Sequence, residues 1–317
     1  MSNGKIGEIP LFSLYGSNRR PGKEMLKGLD LLIYDIQDIG VRSYTYITTL
    51  FYVMEEAAKN KIPVVVMDRP NPINGIIVDG PMLESKWRSF IGYVNVPYCH
   101  GMTAGELAEF FNKEYKIKCM LSVIPMEGWT REMSFKDTGL TWIPTSPHIP
   151  EADTPLFYAS TGIIGELNVV NIGVGYTLPF KVVGAPWINA EHFAQVLNQQ
   201  KIPGVHFMPY HYRPFYGKMR NTDCHGVLIR VTDRKMFKPL NTQYFILGVL
   251  KSLYPKEFKE ELKKVSKTSR QLFSKAVGND FFIQVVDKEQ YITWKMIEYP
   301  IRERENFIEL RKKYLKY

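Results

Sequence analysis

The chain has 317 residues, of which 45% are hydrophobic and 23% are charged, and its formal net charge is +9 at pH 7. This length predicts a substantial core and two domains, and the composition is that of an ordinary globular protein. No apolar run approaches the roughly 20 residues of a membrane helix, and Met1–Gly7 lacks the apolar core of a signal peptide. The basic residues form no obvious patch for nucleic acid, whereas an anionic glycan is compatible with their sign.

The first half of the chain alternates between strand and helix patterns. Strands are predicted at Ile9–Tyr15, Leu31–Ile36, Ile62–Met67 and Cys119–Ile124, and helices at Lys23–Lys27, Tyr46–Lys59 and after a Thr103–Glu106 capping box. A strand, a helix and a strand at this spacing predict a parallel pair joined by a right-handed crossover. The predicted fold class is therefore α/β, with a Rossmann-like parallel sheet flanked by helices.

The second half has a different rhythm. Four prolines between residues 141 and 161 predict a stiff extended loop. After a boundary near Gly184–Trp187, Asn189 should cap a helix ending near Gln200. Strands are predicted at Val205–Met208 and Gly226–Val231, a helix at Thr242–Leu253, and charged helices with short strands in the last sixty residues. We therefore predict a Rossmann-like domain at residues 1–186, carrying the active-site cleft, and an auxiliary α+β domain at residues 187–317.

Carboxylates follow two neighbouring predicted strands. Asp35 and Asp38 lie at the end of one strand and Asp68 at the end of the next, so a parallel sheet brings them to one edge, where α/β proteins bind ligands. Glycoside hydrolysis needs two carboxyls, one protonated and one ionised. Asp38 and Asp35 are therefore candidate catalytic residues. The alternative is that such aspartates only cap the turns that follow the strands.

Glu166 is a third candidate catalytic residue. It follows the proline-rich segment and lies among glycines and apolar residues, surroundings that raise the pKa of a carboxyl and suit a proton donor. In a solvated loop it would have no such role.

Other polar side chains near the strand ends are candidates for binding substrate. Arg42 and Arg69 could clamp a carboxylate or phosphate, or could only neutralise neighbouring aspartates. Tyr44 and Tyr46 could line a sugar-binding wall or pack into the core. The substrate-binding set is Gln37, Arg42, Tyr44, Tyr46, Asp68, Arg69, Asn71, His100, Thr103 and Asn168. Three widely spaced cysteines without a Cys-x-x-Cys pair argue against a zinc or redox site. No residue is predicted to bind a metal.

Seven motifs occur together in a fixed order. They are Ser13-Leu-Tyr-Gly16, Asp35-Ile-Gln-Asp38-x-Gly40-x-Arg42-x-Tyr44-Thr-Tyr46, Asp68-Arg-Pro-Asn-Pro72, His100-Gly-Met-Thr103, Pro144-x-Ser146-Pro147, Gly184-Ala-Pro-Trp187, and Cys224-x-Gly226-Val with Val231-Thr-Asp233. With this set, which covers nearly the whole chain, the sequence resembles the NamZ-type exo-β-N-acetylmuramidase family.

The resemblance implies an exo-acting glycoside hydrolase that removes N-acetylmuramic acid from the non-reducing ends of peptidoglycan fragments. It implies no metal or nucleotide cofactor, and a secreted or cell-envelope location. The partners would be peptidoglycan-derived glycans or muropeptides, with no nucleic acid. The lactyl carboxylate of that sugar would give Arg42 or Arg69 a partner.

Two departures from the family pattern accompany the resemblance. Family members usually begin with an upstream segment containing Gly-Pro-Glu-His-Gly, whose glutamate is the favoured catalytic residue, and this chain starts after that point. Where the family commonly has Phe-Glu-Gly-Thr-Asn, this chain reads Ile164-Gly-Glu-Leu-Asn168, which shifts Glu166 by one residue. The alternatives are a non-catalytic peptidoglycan-binding protein that lost its acid, or a hydrolase of another acidic sugar or phosphate ester.

Overall fold

A computed structural model describes residues 4–16, 18–299 and 301–317. The strands are β1 (Gly4–Ile6), β2 (Ile9–Leu11), β3 (Leu32–Tyr34), β4 (Val64–Met67), β5 (Leu121–Ile124), β6 (Val182–Ala185), β7 (Val205–Tyr212) and β8 (Cys224–Val231). The helices are α1 (Lys23–Leu26), α2 (Tyr46–Asn60), α3 (Ala104–Glu114), α4 (Thr154–Leu167), α5 (Ala190–Gln199), α6 (Pro239–Leu253), α7 (Pro255–Lys264), α8 (Lys267–Val277), α9 (Phe281–Lys288), α10 (Thr293–Glu298) and α11 (Ile301–Arg311). Short 3₁₀ turns lie at Ser85–Trp87, Phe135–Thr138 and Lys312–Tyr314.

Besides the two-stranded antiparallel pair β1–β2, the described residues form two three-stranded sheets. The first of these is parallel and has the order β3-β4-β5. Helices α2 and α3 connect its strands, and their apolar stripes share one core with β4 through Phe51, Phe111 and Val66. The opposite face of the sheet carries the exposed side chains of Ile33 and Ile124. The predicted α/β class, with a parallel sheet and flanking helices, is confirmed.

The second sheet is antiparallel and has the order β6-β8-β7. Helix α5 buries Phe193 against Phe207 and Ile229 of this sheet. Side chains of two loops, residues 173–180 and 213–222, contact a small cluster formed by Val182, Tyr212 and Cys224. The sheet thus holds these two loops side by side.

Two predictions about regular structure were wrong. Residues 154–167 form helix α4 rather than an extended loop, because Pro155 occupies the first turn of the helix, where no donor is lost. The segment after residue 255 contains helices, and its described residues, 255–299 and 301–317, form no strand. In α7, Phe258 and Leu262 are one helical turn apart and both buried, which favours the helix.

Two large hydrophobic cores are present among the described residues. The first packs against the parallel sheet and the second against the antiparallel sheet, and neither follows the order of the chain strictly. Helix α4 and β6 belong to the second core although they precede residue 187, and Phe307 and Tyr314, near the end of the chain, pack into the first core. The division at residues 186 and 187 stays a prediction. Across the described ranges, every helix is too short or too polar to cross a lipid bilayer.

Candidate active site

Asp38 and His100 form a buried polar pair beyond the end of β3. Asp38 is 7% exposed, and its Oδ2 accepts the backbone N–H of Gly40 at 2.7 Å. The fully buried His100 accepts the N–H of Met102 on Nδ1, which leaves Nε2 to carry the proton. That nitrogen lies 3.8 Å from Asp38 Oδ2. The pair is therefore oriented with an N–H facing a carboxylate.

Three buried polar atoms in this region have no hydrogen-bond partner among the described residues. They are Asp38 Oδ1, His100 Nε2 and Gln37 Oε1. The amide nitrogen of Gln37 is used, because it donates to the carbonyl oxygens of Asp38 and Pro70 at 2.7 and 2.8 Å. Buried polar atoms rarely lack partners, so such a group marks a place where a water or a ligand binds.

Asp68 and Thr103 build the start of α3. The Asp68 carboxylate accepts the hydroxyl of Thr103 and the N–H of Gly105, each at 2.7 Å, and the hydroxyl of Tyr317 at 2.8 Å. Thr103 forms the predicted capping box with Glu106. Burial raises the pKa of Asp68, and these hydrogen bonds oppose the rise. These hydrogen bonds favour a structural role for both residues, and the predicted role of Asp68 and Thr103 in binding sugar stays a prediction.

Arg42 is also a structural residue. It is fully buried, and its Nη1 and Nη2 donate to four carbonyl oxygens, those of Pro81, Val96, Ala276 and Val277. Burial lowers its pKa to about 10. Arg42 thereby ties the strand-exit loop to the end of α8, which favours the structural alternative, and the predicted clamp on a substrate carboxylate stays a prediction.

Asn71 is used in the same way. Its amide donates to the carbonyl oxygen of Met102 at 3.0 Å, and its carbonyl oxygen accepts from the N–H of Ile73. A side chain on Gly40 would meet that oxygen at 2.2 Å, so the glycine allows this close approach. Asn71 thus shapes the two strand exits, and its predicted role in binding sugar stays a prediction.

Asp35 and Arg69 pair with each other at the surface. Arg69 Nε lies 2.6 Å from Asp35 Oδ1, with side-chain exposures of 40% and 51%. The structural alternative left open for Arg69 is therefore observed. The exposed ion pair with Arg69 disfavours a catalytic role for Asp35, which stays a prediction.

Tyr44 and Tyr46 hold the proline-rich segment in place. Their hydroxyls donate to Thr145, Tyr44 to Oγ1 at 2.9 Å and Tyr46 to the backbone oxygen at 2.7 Å. The ring of Tyr44 also meets that of Tyr158 edge to face, with centroids 6.2 Å apart. Both tyrosines remain half-buried, so they can border a ligand while anchoring this segment.

Glu166 lines a pocket of about 320 Å³. It lies in the last turn of α4 rather than in a loop, and Asn168, which ends the helix in the left-handed conformation with φ of 59°, lines the same pocket. Burial raises the pKa of the Glu166 carboxyl. Within the described part of the chain, no group pairs with this carboxyl through a hydrogen bond or an ion pair. We call this cavity the Glu166 pocket.

Tyr158 lines the Glu166 pocket, and the sequence analysis did not single it out. Its hydroxyl lies 3.1 Å from the Ser43 hydroxyl, which donates to Tyr98 at 3.0 Å. Burial raises the pKa of Tyr158 to about 12, and the charges of Glu166 and Asp38 add to the rise. Tyr158 is therefore within electrostatic range of both carboxyls. The available signal was its position two helical turns before Glu166, which is meaningful only once residues 154–167 are known to be helical.

The described residues contain no group of three or more His, Cys, Asp or Glu side chains placed to hold a metal ion. The arrangement consists of one unpartnered, half-buried carboxyl in a pocket and a second, buried carboxylate beside a histidine. Tyr158 lines the pocket, and the charges of both carboxyls raise its pKa. Such a pair of carboxyls in different environments is what acid–base hydrolysis of a glycosidic bond requires.

The chain matches known protein-family models along almost its whole length. Residues 3–153 match the family model of exo-β-N-acetylmuramidase NamZ, N-terminal, and residues 156–317 match that of its C-terminal part. The chain is 39% identical over 309 residues to the peptidoglycan β-N-acetylmuramidase NamZ of Bacillus subtilis (strain 168), covering 98% of this chain and 72% of that protein.

Two solved structures of DUF1343 family proteins from Bacteroides fragilis NCTC 9343 are also similar. One has a TM-score of 0.94 at 38% identity and covers 100% of this chain and 82% of its own. The other has a TM-score of 0.75 at 28% identity and covers 94% and 78%. The two family models together span both halves of the sequence, and the chain belongs to the NamZ exo-β-N-acetylmuramidase family of glycosidases.

Proposed function

We propose that this chain releases N-acetylmuramic acid from the non-reducing ends of peptidoglycan fragments. The observation that carries the proposal is Glu166, a half-buried carboxyl with a raised pKa and no described partner, at the wall of a pocket. The activity named for the Bacillus subtilis relative supports this substrate class. It also favours an enzyme over a protein that only binds glycans.

Glu166 acts as the general acid in this proposal. A proton donor must hold its proton at the working pH and must reach the oxygen of the leaving group. Burial favours the protonated form of Glu166. No described cation or hydrogen-bond donor lies beside the carboxyl to stabilise its ionised form instead. The carboxyl is therefore free to donate to a glycosidic oxygen bound in the pocket.

Asp38 supplies the second carboxylate. Its free Oδ1 and the unpartnered Nε2 of His100 offer an acceptor and a donor for sugar hydroxyls or for the attacking water. Gln37 Oε1 adds another acceptor in the same region. In this role Asp38 stabilises positive charge that develops on the sugar, while His100 orients the carboxylate.

The test is the release of N-acetylmuramic acid from a MurNAc-GlcNAc disaccharide, followed by chromatography and mass spectrometry. This chain and a form extended by any in-frame upstream coding sequence should both be assayed, with Glu166→Gln as the matched control. Release that depends on Glu166 supports the proposal. No release by either form would sink it, and saturable muropeptide binding without release would point to the binding-only alternative.

We further propose that the protein works at the cell envelope, where its substrate lies. The net charge of +9 favours contact with anionic wall polymers. Cell fractionation followed by immunodetection tests this location. Detection confined to the cytosol would contradict it.

A further inference from the structure

A line of aromatic side chains continues outward from the Glu166 pocket. His148 lines the pocket, and its Nε2 lies 2.6 Å from the hydroxyl of Tyr216. Phe215, next in sequence to Tyr216, lies beside Tyr176 with ring centroids 5.9 Å apart. We call these four residues, His148, Tyr216, Phe215 and Tyr176, the aromatic strip. Phe215 is 58% exposed and Tyr216 is 48% exposed, so two large rings face solvent next to His148, which lines the pocket.

The backbone, rather than burial of the rings, fixes the position of the strip. Gly175 adopts φ of +90°, and an added side chain there would meet the backbone oxygen of Tyr216 at 2.0 Å. The N–H of Phe215 donates to the Gly175 carbonyl at 2.7 Å. The buried Asn171 amide donates to the carbonyl oxygens of Val174 and Lys218, at 3.0 and 2.9 Å, and so links the two loops. The exposed rings therefore contribute little to holding the loops together.

Exposed aromatic surface beside a pocket is a feature of ligand sites. A tyrosine or phenylalanine ring can cover the apolar C–H face of a sugar while the sugar hydroxyls stay in water. The pocket itself, at about 320 Å³, lies at the small end of the roughly 300–1,000 Å³ range of ligand pockets. A glycan longer than one sugar would therefore extend beyond the pocket, and the strip lies beside it.

We propose that the aromatic strip binds the sugar on the leaving-group side of the cleaved bond, an N-acetylhexosamine unit of the glycan. This inference rests on the proposed function, because it takes the pocket to hold the sugar that is released. In this arrangement Tyr216 and Phe215 stack on the next sugar, and His148 lies between the pocket and the Tyr216 ring.

The test compares two substrates that differ only in the leaving group. One is the MurNAc-GlcNAc disaccharide, and the other is N-acetylmuramyl β-fluoride, whose leaving group has no sugar to stack. In Phe215→Ala and Tyr216→Ala, the ratio of kcat/KM for the disaccharide to that for the fluoride should fall about tenfold, the loss expected for one aromatic contact. Tyr291→Ala, which removes a tyrosine that is 72% exposed elsewhere, is the matched control and should leave the ratio unchanged.

A conservative variant separates stacking from hydrogen bonding. Tyr216→Phe keeps the ring and loses the bond to His148, so its ratio should stay within about twofold of the parent value, a difference below 0.5 kcal/mol. A fall as large as that of Tyr216→Ala would show that the hydroxyl matters rather than the ring, and would overturn the proposal. An unchanged ratio in both alanine variants would overturn it as well.

Direct binding distinguishes failure of the strip from failure of the proposed function. Calorimetry with an N-acetylglucosamine trisaccharide needs no turnover, and thermal unfolding checks that each variant is folded. Weaker binding by Phe215→Ala supports the strip even where no N-acetylmuramic acid is released by any form. Unchanged binding in a folded variant of an active enzyme overturns the strip and leaves the muramidase proposal standing.

Discussion

The polar residues at the ends of β3 and β4 and the residues of the Glu166 pocket have opposite characters. The strand-exit cluster, formed by Asp35, Gln37, Asp38, Asp68, Arg69 and Asn71, uses most of its polar atoms within the fold. Asp68 alone accepts three side-chain or helix hydrogen bonds, and Asp35 pairs with Arg69. Glu166 is half-buried and has no partner in the described ranges. A cluster of polar residues in a sequence therefore indicates a candidate site. The hydrogen bonds in the fold decide which of these side chains remains available to act on a ligand.

An unpartnered carboxyl in a pocket costs stability, because its ionised form loses hydration without gaining a hydrogen bond. The neighbouring turns of α4 offset this cost through the buried side chains of Ile163, Ile164 and Leu167. A helix that is apolar on most of its surface can thus hold one acid in a poorly solvated position.

Replacing Glu166 should produce the largest effect on activity. Glu166→Gln keeps the shape of the side chain and removes the proton that is donated, so kcat should fall about a thousandfold, within the range for general acid catalysis. The melting temperature should not fall, because no described contact of the carboxyl is lost. The exposed Glu132→Gln is the control. A variant retaining more than a tenth of the activity would exclude Glu166 as the acid.

The pH dependence of kcat gives a second measure of the same residue. A general acid must be protonated, so activity is lost as the pH rises through its pKa. Because burial raises the pKa of Glu166, the alkaline limb should lie above the value of 4.5 for an ordinary glutamic acid. In Glu166→Gln this limb should disappear from the residual activity, and a limb that persists unchanged belongs to another group.

Arg42 should dominate stability in the contrasting region. Arg42→Met leaves four buried carbonyl oxygens without their donors, so the free energy of unfolding should fall by about 3 kcal/mol. Urea denaturation measures this loss, with the exposed Arg220→Met as the control. If Arg42→Met is insoluble, Arg42→Lys provides a milder form of the same test. Wild-type stability with weakened substrate binding would support Arg42 as a sugar ligand.

Asp38 is the member of the strand-exit cluster expected to affect turnover. Asp38→Asn should lower kcat about a hundredfold, the lower end of the range for groups in acid–base catalysis. The amide can still accept the hydrogen bond from Gly40, so the loop should keep its shape. Thermal unfolding tests that condition. A loss of activity matched by an equal loss of folded protein would assign Asp38 a structural role.

The Asp35–Arg69 pair should produce the smallest change. Both side chains are substantially exposed, and exposed pairs contribute roughly 0–1 kcal/mol. Asp35→Asn should therefore leave kcat within about twofold of the parent and the free energy of unfolding within about 1 kcal/mol. A hundredfold loss of kcat would support Asp35 as a catalytic residue.

The positions of the strand exits could be predicted from the sequence because they depend on local patterns. Apolar runs, a Thr103–Glu106 capping box and the crossover rule place Asp38 and Asp68 at one edge of a parallel sheet. Helix α4 could not be recognised in the same way, since a proline-rich segment precedes it and Pro155 at its start is typical of a helix breaker in the sequence.

The sequence by itself determined the α/β class and the family, because periodicity and short motifs are properties of neighbouring residues. Only the tertiary structure decided which polar side chains already make their hydrogen bonds within the fold. Arg42 meets carbonyl groups more than two hundred positions away, and Tyr317 closes over Asp68 from the far end of the chain. Hydrogen bonds between such distant residues leave no periodic trace in the sequence, so the unpartnered state of Glu166 becomes visible only in the fold.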